Sequence, residues 1–352
     1  MSSHFSHHTD PRSGDTYVSG LGFVSGNLQN RQESPLDGIR RMSNILCILL
    51  LVYFPLREMF LLPATYLAHI VGLDVRINRF TGLIVKSRVS DLTISFLADT
   101  LALLIVMLLI QAIYRPALLQ AHIFRRPYAG VTGLALPITL AGGVIGTFFS
   151  LLLAHVLDLF GLVLPVELAP IPSFSVEVFV SLGAVIAYGC LQEIFFRGVI
   201  LTPLRKYGDG FAIVASSLLF SLFQTGFVEC IAAFLFGVCA AYFVIRSGSI
   251  RIALLSRISM TLLLFGGRMV LGMAERSLAL VIIMVACLVL LGMAALAYLH
   301  FIRADANAFR LVRPQGSHST RVRLSAFCGS LGFILFAVAI LFWIISTIQI
   351  IG

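Results

Sequence analysis

The sequence Gln192-Glu193-Ile194-Phe195-Phe196-Arg197-Gly198 lies at the end of an apolar run that begins near Val176. Charged and polar side chains at bilayer depth cost free energy, so a cluster of them there indicates a functional site by default. Glu193 and Arg197 are four residues apart. On a helix this spacing places both on one face, where they can form an ion pair. The pair would either order the end of the span or contact a substrate.

The chain is far more apolar than a soluble protein. Its 352 residues are 59% hydrophobic and only 12% charged, whereas about a quarter of the residues in a soluble domain are charged. Runs of about 20 apolar residues alternate with short polar segments, as in proteins whose helices cross a membrane. The sequence therefore predicts an all-α fold, a polytopic membrane helical bundle of about nine transmembrane helices.

The apolar runs define the spans and four regions of the chain. We place the spans at 43–62, 92–114, 130–160, 175–198, 210–225, 227–245, 249–266, 278–301 and 325–350. The regions are a disordered cytoplasmic tail (1–42), N-terminal transmembrane helices (43–174), a core (175–266) and C-terminal transmembrane helices (267–352). In the third span, Gly142 and Gly146 form a GxxxG pattern, which lets two helices approach closely.

The net charge of +9 follows from membrane topology and does not indicate a nucleic-acid partner. With the N-terminus in the cytoplasm, the inner segments hold 17 basic residues and the outer segments hold six. Cytoplasmic loops of membrane proteins carry such an excess of Lys and Arg. We therefore expect the lipid bilayer as a partner, an N-terminus in the cytoplasm and no nucleic acid.

Charged residues also interrupt the first two spans. Arg57 and Glu58 lie in the first span and Asp99 lies in the second. A carboxylate at this depth needs a partner or a hydrated cavity. Asp99 is therefore either the partner of a buried base or a carboxylate that faces other helices.

Three stretches carry a family resemblance. They are QEIFFRGVILTPLRKYG from Gln192, SLLFSLFQ from Ser217 to Gln224, and SGSIRIALLSR from Ser247 to Arg257. Together they resemble the type II CAAX prenyl endopeptidases and bacteriocin-processing proteins, the CPBP intramembrane metalloproteases, over residues 175–266. The resemblance implies a four-helix core in which the first Glu of EExxxR and the His of FxxxH bind zinc or activate water. The His and Asn of a third motif, HxxxN or HxxxD, would complete the site or hold the oxyanion.

The chain departs from that family at every position of the expected zinc site. The first Glu, the two His and the Asn correspond to Gln192, Gln224, Arg257 and Thr261, while Glu193 and Arg197 are retained. An amide cannot take up a proton as a general base, and zinc prefers carboxylate, imidazole or thiolate ligands. Arginine stays cationic and repels a metal. We therefore expect no catalytic residues, no metal and no cofactor, with zinc only if an active site has been relocated.

Arg257 has two interpretations that the sequence leaves open. A mid-span Arg must face the bundle interior and be paired or hydrated. It either neutralises a carboxylate (Glu193, Asp99 or Glu229) in place of the lost metal, or lines a cavity with Gln192 and Gln224. Such a cavity would bind an anionic group, such as a peptide C-terminus or a lipid head group.

The resemblance and the lost site together predict a pseudoenzyme that binds peptide, lipid or protein partners in the membrane. A role in bacteriocin immunity fits by resemblance only. The alternatives are an active intramembrane metalloendopeptidase with a relocated site, and a transporter of a small molecule or lipid. The framework resembles bacterial members, so we expect a multi-pass protein of a bacterial plasma membrane.

Overall fold

The fold is a bundle of long apolar helices joined by short segments. The computed structural model describes residues 15–18, 22–25, 34–70, 75–77, 84–86, 88–114, 129–163, 171, 176–224, 226–304, 311, 318–347 and 349–350. The helices are α1 Pro35–Ile70, α2 Arg88–Tyr114, α3 Ala129–Asp158, α4 Val176–Glu193, α5 Leu201–Leu204, α6 Asp209–Phe223, α7 Phe227–Ser247, α8 Arg251–Met273, α9 Arg276–Ala304, α10 Thr320–Cys328 and α11 Leu331–Thr347. A π-helix, Ile194–Ile200, and a 3-10 turn, Arg205–Tyr207, flank α5.

Short strands form three antiparallel pairs beside the helices. They are β1 Asp15–Val18 with β2 Gly22–Ser25, β3 Val75–Ile77 with β4 Ile84–Lys86, and β5 Leu162–Val163 with β6 Gln349–Ile350. Each pair contributes two to four residues per strand, so the described chain remains helical in character.

Seven helical segments of the described ranges are long and apolar enough to cross a membrane. They are Pro35–Ile70, Ile94–Tyr114, Val131–Asp158, Val178–Tyr207, Glu229–Ser247, Arg251–Met273 and Arg276–Ala304. The helices α10 and α11, bent by 67° at their break, make an eighth if they count as one span. The helix α6 has only 15 residues, fewer than the about 20 that a span needs. The predicted polytopic helical bundle is confirmed, whereas the count of nine spans is not.

The first helix is longer than its predicted span because its N-terminus carries strong start signals. The Ser34 hydroxyl accepts a hydrogen bond from the backbone N–H of Asp37 at 3.2 Å, and Pro35 occupies the first helical position. Ser at the N-cap and Pro directly after it both favour helix initiation. The helix therefore takes in the last residues of the predicted tail. It continues through Pro55 to Ile70.

Close packing of α3 on α7 confirms the predicted GxxxG contact. A Cβ atom on Gly146 would lie 2.6 Å from the Cα of Ala232, and one on Gly142 would lie 2.9 Å from Cys239 Sγ. Contacts this short leave no room for a side chain at either glycine. The two backbones therefore meet where the small residues permit it.

The polar motif lies where α4 gives way to a π-helix. The helix α4 ends at Glu193, and Ile194–Ile200 forms the π-helical turn that follows. Such turns are rare and occur frequently at functional sites. The turn buries Phe195, Phe196 and Arg197, and the Phe196 ring packs edge-on against Phe220 of α6 with the ring centroids 5.1 Å apart. These contacts fix the motif against α6.

Candidate functional site

The two retained motif residues form a buried ion pair. Arg197 Nε donates to Glu193 Oε2 at 3.2 Å, and both side chains are fully buried. Arg197 Nη1 lies 3.5 Å from Ser216 Oγ, and the guanidinium lies 5.1 Å from the centroid of the Phe220 ring. Gly237 of α7 makes room for this arginine, since a Cβ there would lie 3.0 Å from Arg197 Nη2. The pairing predicted from the i,i+4 spacing therefore occurs, and it ties α4 to α6 and α7.

This ion pair is incompletely hydrogen-bonded. Glu193 Oε1 and Arg197 Nη2 are buried and have no hydrogen-bond partner within the described ranges. Taking two charges out of water is costly unless their remaining hydrogen-bonding positions are satisfied. Each charge therefore depends on the other.

Arg257 of α8 reaches across to Gln192 of α4. Its Nη2 atom donates to Gln192 Oε1 at 3.0 Å. A Cβ on Gly189 would lie 2.6 Å from Arg257 Nε, so glycine is needed one turn before Gln192 to admit the guanidinium. The guanidinium also lies 5.8 Å from the centroid of the Phe220 ring. In the family that the sequence resembles, these two positions would hold a Glu and a His. Here the Arg257 guanidinium and the Gln192 amide join them by a hydrogen bond.

No ion pair of Arg257 is found among the described residues. Of the carboxylates considered as its partner, Glu193 pairs with Arg197 and Asp99 pairs with Arg57. The sequence-based hypothesis that Arg257 directly neutralises Glu193, Asp99 or Glu229 is therefore wrong, since none of the three forms an ion pair with it within the described ranges. The partner of Arg257 is an amide.

The other two changed family positions lie at the end of α6 and on α8. Gln224 follows the last residue of α6, and its Nε2 atom lies 3.4 Å from the carbonyl oxygen of Phe220. Thr261 lies one turn after Arg257 on α8 and is half-buried. Of the four positions, Gln192 and Arg257 are joined by a direct hydrogen bond, and Gln192 and Gln224 line one cavity.

A cavity of about 390 Å³ opens beside the motif. Its walls come from α1, α2, α4, α11 and the end of α6, and its lining residues are Tyr53, Phe54, Pro55, Arg57, Glu58, Asp99, Tyr188, Gln192, Phe223, Gln224 and Trp343. Gln192 and Gln224 line it as predicted for a shared cavity. Arg257 is not among the residues that line it. The hypothesis of a cavity walled by all three residues is corrected to this extent.

A hydrogen-bonded cluster in this cavity was missed by sequence reasoning. Arg57 Nε donates to Asp99 Oδ1 at 2.6 Å, and the Tyr53 hydroxyl donates to the same oxygen at 2.8 Å. The hydroxyls of Tyr53 and Tyr188 lie 2.9 Å apart. Asp99 is therefore the partner of a base, which decides between the two interpretations left open by the sequence. Intramembrane charges at Arg57 and Asp99 were the only available signal, and it does not reveal the tyrosines.

The residues at the family's metal positions do not fit a zinc ion. The Gln192 oxygen already accepts a hydrogen bond from a guanidinium, and a permanent cation at that distance opposes a metal. In the parts of the chain that the structure describes, no cluster of three or more His, Cys, Asp or Glu side chains is arranged to hold a metal.

A comparison with family models gives an independent result for this segment. Residues 174–263 match the family described as Type II CAAX prenyl endopeptidase Rce1-like. This stretch of the chain is similar to that family. The match runs from just before α4 into α8 and so contains the motif, the ion pair and the Arg257–Gln192 hydrogen bond. It agrees with the resemblance predicted for residues 175–266. No curated protein and no solved structure matches the chain.

Proposed function

We propose that this chain is a non-catalytic membrane protein with an Rce1-like core, which holds a membrane ligand in the cavity beside Gln192 and does not cleave peptides. The observation that carries the proposal is the hydrogen bond from Arg257 to Gln192. It occupies the place where the family has a Glu and a His.

The chemistry of these two side chains supports the loss of catalysis. A general base must take up a proton from the attacking water, and the Gln192 amide does not do so near neutral pH. Arg257 remains a cation at any pH the protein meets. A water molecule between them would meet a hydrogen-bonded amide and a fixed positive charge, and neither activates it.

The cavity supports a binding role. Sites for small ligands commonly enclose about 300–1,000 Å³ and combine apolar walls with a few polar groups, and this cavity of about 390 Å³ matches that description. Its polar groups come from three different helices, α1, α2 and α4, and from the residue after α6. Such convergence inside a membrane bundle indicates a site and not a chance cluster.

The cellular setting belongs to the same proposal. The protein is a multi-pass component of a bacterial plasma membrane with a cytoplasmic N-terminus. Its partners are the lipid bilayer and a membrane ligand, peptide or protein, with no nucleic acid and no cofactor. A role in bacteriocin immunity fits this proposal by resemblance only.

Metal content and cleavage of a prenylated CAAX peptide test the proposal together. We expect detergent-purified protein to hold far less than one zinc per chain and to leave the peptide intact. About one tightly bound zinc per chain, together with cleavage, would overturn the proposal in favour of a relocated active site.

A matched variant shows that the assay can detect a restored site. It carries Gln192→Glu, Gln224→His, Arg257→His and Thr261→Asn, which rebuild the family's set of ligands. We expect this variant to gain zinc relative to the natural chain, because it replaces two amides and a cation with groups that zinc prefers. An equal zinc content in both proteins, at a full equivalent, would contradict the role assigned to these positions.

A further inference from the structure

The walls of the cavity beside Gln192 combine aromatic rings with an excess of negative charge. Five aromatic side chains line it: Tyr53, Phe54, Tyr188, Phe223 and Trp343. Among the lining residues, Arg57 is cationic while Glu58 and Asp99 are acidic. The walls therefore carry one negative charge more than positive charge.

The rings form a connected aromatic wall. The Tyr53 centroid lies 4.6 Å from that of Phe223, and the Phe54 centroid lies 6.4 Å from that of Trp343. Tyr53 and Phe54 are 5.3 Å apart and nearly perpendicular, so their faces point in different directions. Aromatic faces attract cations through the ring quadrupole, and cages of such rings recognise quaternary ammonium groups.

The single cation of the wall is already engaged. Arg57 Nε donates to Asp99 Oδ1 and its Nη1 atom donates to Glu58 Oε1, both at 2.6 Å. The second oxygen of each carboxylate, Asp99 Oδ2 and Glu58 Oε2, has no hydrogen-bond partner within the described part of the chain. One arginine thus balances half of the negative charge, and the rest remains available to a ligand.

From this arrangement we propose that the cavity binds a trimethylammonium group, the cation of choline and of choline lipids. The inference deepens the proposed function, since it assigns a ligand class to the same cavity. It also replaces the anionic ligand predicted from the sequence. That prediction relied on Arg257, which lies outside the cavity lining, whereas the residues inside it are aromatic and net acidic.

The chain contains its own reporter for this ligand. Trp343 lines the cavity and is the only tryptophan of the sequence. A cation that enters the aromatic wall will change the Trp343 fluorescence, and the change will saturate as the site fills. Full-length protein in phosphatidylglycerol nanodiscs, which contain no choline, is the starting material.

Three soluble probes separate the contributions of charge and shape. Choline is titrated beside 3,3-dimethylbutan-1-ol, its uncharged isostere, and beside sodium acetate at the same ionic strength. We expect saturation with choline, binding of the isostere weaker by about tenfold or more, and no response to acetate. Equal binding of choline and the isostere, or a saturable response to acetate, would overturn the proposal.

Variants locate the binding. Glu58→Gln removes a charge from an exposed position of the wall and should weaken choline binding about tenfold. Asp37→Asn removes the carboxylate of an exposed ion pair with Arg40 on the same helix and should leave binding unchanged. Asp99 is mostly buried and also accepts a hydrogen bond from Tyr53, so Asp99→Asn would disturb the wall itself, and the exposed Glu58 carries the test. An unchanged affinity in Glu58→Gln would contradict the role of the acidic wall.

A second lipid composition distinguishes the source of the cation. In nanodiscs that contain phosphatidylcholine, a head group in the cavity will shift the Trp343 spectrum before any addition and will suppress the response to choline. If the natural ligand is a soluble cation, the response to choline will persist. A response in neither membrane would overturn the ammonium proposal, while zinc content and peptide cleavage on the same preparation still decide the proposed function separately.

Discussion

At the residue scale, the buried pair of Glu193 and Arg197 is the contact on which the motif most depends. Both side chains are fully buried and share one hydrogen bond of 3.2 Å. Breaking a buried ion pair by removing one partner leaves an uncompensated charge, whereas removing both charges with apolar residues is often tolerated. The loss of stability from removing one charge, compared with the loss from removing both, therefore shows whether the ion pair stabilises the fold.

We predict that Glu193→Gln lowers the free energy of unfolding by about 3–5 kcal/mol. Arg197 would then be a buried cation with an amide as its nearest partner. The double variant Glu193→Leu with Arg197→Met should lose clearly less, because it buries no charge. Denaturant titration in a mild detergent measures both.

Asp37→Asn is the control for that measurement. It breaks an exposed ion pair with Arg40, which contributes at most about 1 kcal/mol. The asparagine keeps an oxygen that can accept the hydrogen bond from the Ser34 hydroxyl at the start of α1. If Glu193→Gln lowers the free energy of unfolding no more than Asp37→Asn does, the buried pair stabilises the fold no more than a surface ion pair.

Sequence reasoning at this scale succeeded where partners are close in the chain. The Glu193–Arg197 pair follows from a spacing of four residues on a helix. The pair of Arg57 and Asp99 joins residues 42 positions apart on two helices, so it depends on how α1 and α2 pack. Hydropathy contains no information on that packing, and only the presence of both charges at membrane depth hinted at it.

At the element scale, the contact between α3 and α7 depends on glycine at one point. A Cβ on Gly146 would lie 2.6 Å from the Cα of Ala232, a backbone atom that cannot rotate away. On the same helix, a Cβ on Gly133 would have nothing within 4 Å. The two glycines thus form a matched pair in which only the packing differs.

We predict that Gly146→Ala destabilises the protein by about 1–3 kcal/mol, the usual cost of overpacking. Gly133→Ala should be neutral or stabilising by up to about 1 kcal/mol, since alanine has the higher helix propensity. The thermal unfolding midpoints of the two variants in one detergent give the comparison. Equal midpoints would mean that α3 and α7 accommodate the added methyl group without loss of stability. The GxxxG contact would then not stabilise the protein.

The elements themselves were predictable to different degrees. Apolar runs of sufficient length located most of the spans, and Gly142 with Gly146 located a helix contact. The π-helix over Ile194–Ile200 has no residue signature of its own, because the residues Ile194–Ile200 would equally well continue an α-helix. The burial of Arg197 against Phe220 and Gly237 accompanies this turn, and those contacts are tertiary.

At the scale of the whole molecule, the short helix α6 decides how the later spans are oriented. Its 15 residues extend over about 22 Å at a rise of about 1.5 Å per residue. The hydrocarbon core of a bilayer is about 30 Å thick. Length alone therefore argues against a full crossing, and loop charge provides the independent criterion.

The basic residues favour a crossing by α6. Arg197 is buried within the span Val178–Tyr207 and is left out of the count. If α6 crosses, the inner segments then hold 16 basic residues and the outer segments hold six. If α6 returns to the side on which it began, segments 246–251 and 302–323 move outside and segment 267–277 moves inside, which leaves 11 basic residues on each side. Cytoplasmic loops carry the excess of Lys and Arg in membrane proteins, and only the crossing arrangement preserves that excess.

We therefore predict that the segment after residue 306 is cytoplasmic and that the segment after residue 165 is external. Fusions of each reporter at both points test this topology. Green fluorescent protein is fluorescent in the cytoplasm, whereas alkaline phosphatase is active outside. We expect fluorescence at 306 and phosphatase activity at 165. Phosphatase activity at both points would mean that α6 is re-entrant. If α6 crosses with Asp209 at the cytoplasmic end, Gln224 and the cavity that it lines lie toward the external side. Choline supplied from outside will then reach the site without crossing the membrane.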